Sequence, residues 1–60
     1  MIKVDNRKFD FFLGAKEFTT KSLNHADREI TDLFFVDGEL IAKQECKHGE
    51  IEYFIREQNA

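Results

Sequence analysis

Cys46 and His48 stand two positions apart, the only cysteine of the chain beside one of its two histidines. A thiolate next to an imidazole is the pair that both nucleophilic catalysis and zinc coordination draw on. Either chemistry needs more than this. Structural zinc takes four ligands from paired motifs, and the remaining candidates, His25 and Asp27, lie far upstream without such spacing. A nucleophilic cysteine needs a base oriented by a third group, a pocket and an oxyanion donor, and no third member accompanies the pair. The bland reading fits better: Cys46 as a small buried hydrophobe and His48 as an exposed turn residue. Asp10 with Glu17, Asp27 with Glu29, and Glu50 with Glu52 are the carboxylate pairs. Only Glu50 and Glu52 alternate so as to share a strand face, and no glycine-centred, oxygen-rich loop goes with them. Gly14-Ala15-Lys16 lacks the second glycine and the Gly-Lys-Ser/Thr ending of a phosphate-binding loop. The expectation is a chain with no catalytic residues, no metal and no cofactor.

The remaining constellation is aromatic and basic, and it exists only if strands place it. Two turn signals, Asp37-Gly38 and His48-Gly49, separate three apolar-rich runs between Ile30 and Glu57. A type I′ turn needs φ > 0 at both central residues, which Asp tolerates and Gly prefers, so both sites predict two-residue hairpins. The registers follow. Around the first, Val36 faces Glu39, Phe35 faces Leu40, Leu33 faces Ala42 and Asp32 faces Lys43. Around the second, Lys47 faces Glu50, Cys46 faces Ile51, Gln44 faces Tyr53 and Ala42 faces Ile55. By parity one face carries Leu33, Phe35, Leu40, Ala42, Cys46, Ile51, Tyr53 and Ile55, as a half-buried sheet requires. The other carries Asp32, Lys43, Glu45, Glu52 and Arg56, with Ile30, Phe34, Ile41 and Phe54 among them. Phe34, Ile41, Lys43, Phe54 and Arg56 are therefore the expected partner-contact residues on an outward face.

In the N-terminal third, Phe9, Phe11 and Leu13 alternate over Lys8 to Leu13, which predicts a strand, with Asp5-Asn6 turning a short Ile2 to Val4 strand back onto it. Ser22 as a cap, with Leu23, Ala26 and Ile30 at helical spacing, predicts a short helix or crossover over 20–29. The expected architecture is α+β and mainly antiparallel: an N-terminal strand or hairpin, that crossover, and a C-terminal three-stranded meander. The alternative is an all-β small barrel, SH3-like or OB-like, with Glu17 to Lys21 as a strand and Leu23 to Asp27 as a loop.

Composition bounds the function. Sixty residues without proline or low-complexity tract make one unit, 1–60, near the lower limit of independent folding. Seven phenylalanines supply its core. Charged residues of both signs are interspersed at a net −3, which leaves no basic footprint for duplex nucleic acid. No apolar h-region or long apolar run points to secretion or a membrane, and with a single cysteine the expected location is cytoplasmic. The size and composition resemble those of small accessory proteins that phages and mobile elements encode. The leading expectation is a regulatory or inhibitory module that docks a sheet face or edge strand on another protein. Alternatives are a single-stranded nucleic-acid binder on the same face, and a purely structural or oligomer-forming role; edges without proline also favour a homodimer.

Overall fold

Capping decides the N-terminal third. The computed structural model describes residues 1–57. Ile2–Val4 form strand β1 and Asn6–Leu13 form helix α1. The Asp5 carboxylate accepts a hydrogen bond from the Lys8 backbone N–H at 2.8 Å, and its carbonyl accepts one from Phe9 N–H at 3.0 Å. The first bond satisfies a donor that a helix start otherwise leaves orphaned, and the second opens the helix's own ladder. Val4, just before the cap, packs against the cluster that holds Phe9, as in a hydrophobic staple. Phe9, Phe12 and Leu13 are buried at helical spacing while Phe11 is 88% exposed. The strand expected over Lys8 to Leu13 is thus corrected to a helix.

The expected helix over 20–29 is corrected in the opposite sense, because Thr19–Ala26 form strand β2. Ser22 does not cap a helix; its hydroxyl bonds the Asp32 carboxylate on the neighbouring strand. β-Branched Thr19 and Thr20 favour extended backbone, and a turn at Asp27-Arg28, with Arg28 at φ 62°, returns the chain. Strands β3 (Glu29–Val36), β4 (Glu39–Lys47) and β5 (Glu50–Ile55) complete an antiparallel sheet of order β1-β5-β4-β3-β2. The molecule is therefore mostly antiparallel β with one short helix. Its sheet is open, with β1 and β2 at the edges. No described helix is long and apolar enough to cross a membrane.

The predicted meander is present, and both of its turns have positive φ at both central residues: Asp37 52° and Gly38 80°, His48 50° and Gly49 84°. The β4–β5 register matches the sequence expectation pair for pair. The β3–β4 register matches only at Val36–Glu39 and Phe35–Leu40. Beyond them a β-bulge at Ile41 inserts one residue, so Phe34 faces Ala42, Leu33 faces Lys43 and Asp32 faces Gln44. One extra residue reverses which side of β3 meets which side of β4. Ile41 and Ala42 are consequently both buried, at 1% and 0% exposure, against Phe9, Phe12, Leu13 and Ile55. Helix α1 covers that face, with Phe9 packed edge-on against Phe34 and tilted against Tyr53 at ring distances of 5.4 and 4.9 Å.

Candidate functional site

Strand alternation and the registers divide the sheet into two faces. Under the helix lie the rows Ile2–Ile55–Ala42–Phe34–Thr20 and Val4–Tyr53–Gln44–Asp32–Ser22. The opposite face carries the row Lys3–Phe54–Lys43–Leu33–Lys21, flanked by Glu52–Glu45–Thr31–Leu23 on one side and by Leu40–Phe35–Thr19 on the other. No described element covers this second face. Leu33, Phe35 and Phe54 are half-buried among their neighbours, and Leu40 is 39% exposed.

The five expected contact residues therefore part company. Lys43 and Phe54 are adjacent on the open face, with the Lys43 ammonium 4.9 Å from the Phe54 ring centroid. Arg56 lies just past β5, where its guanidinium meets Glu39 at 3.2 Å and its backbone N–H donates to the Ile41 carbonyl at 2.8 Å. Phe34 and Ile41 are corrected: the bulge carries them to the helix-covered side, Phe34 against Phe9 and Phe18, Ile41 into the core. In exchange Leu33, Phe35 and Leu40, which parity without a bulge assigns inward, stand on the open face. The run Leu40-Ile41-Ala42 is the signal for this, since three consecutive apolar residues break the alternation of a half-buried strand.

The charges Lys3, Lys43, Glu45 and Glu52 that β1, β4 and β5 bring to the open face are paired. Glu45 and Glu52 are directly opposite each other, a repulsive arrangement taken alone. Lys3 reaches Glu52 at 2.9 Å, and Lys43 reaches Glu45 at 3.8 Å. The hydrogen bond from Lys3, and then its charge, hold the Glu52 carboxyl below the ordinary glutamate range. Thr31, in the same row as Glu45 and Glu52, is 7% exposed and shares a hydrogen bond of 2.8 Å with His25 Nε2.

The other candidate groups are dispersed. Cys46 lies in the row Ile51–Cys46–Ile30–Asn24 on the helix side, beyond the helix itself. His48 occupies the β4–β5 turn, where its backbone N–H donates to the Arg28 carbonyl and its ring stands 3.4 Å from Glu29. His25 is on the opposite face from Cys46, bonded to Thr31. Among the described residues no three His, Cys, Asp or Glu side chains gather as a metal site would require. One hollow of about 550 Å³ opens at the end of α1 between Phe11, Phe12, Ala15 and Ile55, with Lys8 and Lys16 at its rim. Lys16 is already engaged there, donating to the Phe12 carbonyl at 2.6 Å and standing 4.0 Å over the Phe12 ring. No family model, characterised protein or solved structure matches this chain.

Proposed function

We propose that the chain is a non-catalytic protein-binding module, regulatory or inhibitory in action, that docks its uncovered sheet face on another protein. The supporting observation is that the one helix covers a single side of the sheet. The other side keeps Leu33, Phe35, Leu40 and Phe54 together, with Lys43 standing between Phe54 and Leu33 and with Lys3, Glu45 and Glu52 around them. A half-exposed apolar and aromatic patch set among mixed charge suits a protein interface. Docking there works by occlusion, covering whatever surface of the partner the sheet lies on. The rim pairs set orientation, and the desolvated rings and leucines supply affinity. The single free thiol, Cys46, is in keeping with a reducing cytoplasm.

The test uses Leu33→Glu and Phe54→Glu, checked for native circular dichroism, with Phe11→Ser on the helix side as control. A protein captured by the parent chain and then purified should bind both face variants at least about tenfold more weakly, a loss of about 1.4 kcal/mol. The control should bind as the parent does. Equal binding by the face variants overturns the proposal.

A second reading rests on the row that sets Lys21, Lys43 and Lys3 alternately with Leu33 and Phe54. Such interleaving suits stacking and neutralisation of a single-stranded nucleic acid, although Glu45 and Glu52 in the next row oppose it. Under this reading an oligonucleotide binds at low salt and is released steeply as salt rises. No binding at low salt removes it.

A further inference from the structure

The two edges of the sheet are unlike. β1 is three residues long, whereas β2 is eight residues long and contains no proline, no glycine and a single formal charge, Lys21. Every β2 residue but Leu23 is exposed. Soluble proteins ordinarily blunt an edge of this length with charge, proline or a bulge. Here the one irregularity, at His25, falls near the turn and leaves Thr19 to Asn24 in unbroken register with β3.

The molecule is also drawn out along its hairpins. Its radius of gyration is 11.6 Å, where a globular chain of this length has about 10.4 Å. The strands run on past the short helix, and Ile30 and Ile51 are left 38% and 48% exposed. The edge at β1 is short, and the long run of open backbone groups is the one along β2.

We infer that β2 pairs antiparallel with β2 of a second copy, joining two sheets edge to edge. The occupant is a second copy because the strand, polar and with a single charge, can meet itself without opposing like charges. A two-fold axis normal to the sheet keeps like faces on the same side, so it pairs β2 residues of equal parity. An axis through Ser22 sets Lys21 opposite Leu23 and Thr20 opposite Asn24, all within the regular stretch, and no like charges meet. An axis through Lys21 would oppose two ammonium groups, and that register is rejected. In the Ser22 register both helices lie on one side, and the two open faces merge into one continuous surface. The pairing is independent of what that surface binds. Eight residues per copy is well under the roughly 20–30 of a standard interface, which sets the affinity in the weak, concentration-dependent range.

The test is light scattering on the full chain from micromolar to millimolar concentration, with Ser22→Lys as the variant that places two ammonium groups on the axis. Ser22 is exposed and a lysine there can still reach Asp32, so the fold should persist, and circular dichroism checks it. The average mass of the parent should climb from 7.1 kDa toward twice that value. Ser22→Lys should need at least about tenfold more protein for the same rise. Backbone amide exchange in β2 should slow with concentration in the parent alone. A parent that stays monomeric throughout, or a Ser22→Lys variant that associates as the parent does, overturns the inference. Since Phe54 lies on β5, three strands from this edge, Phe54→Glu tests the open face and leaves this measurement unchanged.

Discussion

Replacing Ile41 with alanine separates the bulged register from the regular one. Among the described residues Ile41 is the only large side chain below 2% exposure, packed with α1 and Ile55. Truncating a fully buried isoleucine removes its transfer free energy and leaves a cavity, together about 2–5 kcal/mol. In a regular hairpin Ile41 points to solvent with Lys43, and its truncation costs within about 0.5 kcal/mol. A domain of this length has about 3–9 kcal/mol of total stability, and each kcal/mol moves its midpoint by about 4–8 °C. Ile41→Ala should therefore lower the midpoint by at least about 10 °C or unfold the chain outright, whereas Leu40→Ala should shift it by only a few degrees. Thermal and urea denaturation followed by circular dichroism read both. An Ile41→Ala variant that melts within about 3 °C of the parent refutes the bulge.

Three further outcomes follow from the same structure. Asp5→Ala removes the cap of α1 and should cost about 1 kcal/mol, while Asp5→Asn, which still accepts from Lys8 N–H, should cost little; equal losses in urea titrations contradict the capping role. Gly49 sits at φ 84° with open space around its Cβ position, so Gly49→Ala should destabilise by about 1 kcal/mol through backbone strain alone; a neutral substitution in thermal melts contradicts it. Because Lys3 lowers the Glu52 pKa in the folded state, that pair contributes stability above the unfolded pKa and loses it as pH falls through the lowered folded one. Lys3→Ala should flatten the acid limb of a melting-temperature profile, and an unchanged limb argues against the pair.

Turn chemistry was the most legible part of the chain. Asp-Gly and His-Gly adopt the positive φ pairs that their residue types favour, and the β4–β5 register follows without adjustment. The N-terminal third was ambiguous because Phe9, Phe12 and Leu13 satisfy a helical period while Phe9, Phe11 and Leu13 satisfy an alternating one. Asp5, three residues before the Lys8 N–H it caps, decides for the helix. β2 misled in turn, since Ser22, Leu23 and Ala26 match a helix start that tertiary pairing with β3 overrides. The candidate face was legible in β4 and β5, which supply Lys43 and Phe54. It was not legible in β3, because a single inserted residue at Ile41 exchanges Phe34 for Leu33 and Phe35. Only the unbroken run Leu40-Ile41-Ala42 hints at that exchange, and periodicity alone does not say which of the three is extra.

The most direct measurement of which side of the sheet is open is nuclear magnetic resonance on the labelled chain with a soluble paramagnetic probe. Phe9 ring protons should show nuclear Overhauser contacts to Phe34 and Tyr53, and the probe should broaden Leu33, Phe35, Leu40 and Phe54 while sparing Ile41. Contacts from Phe9 to Leu33 or Phe35, with Phe34 and Ile41 broadened instead, would place the bare face on the other side and contradict the account.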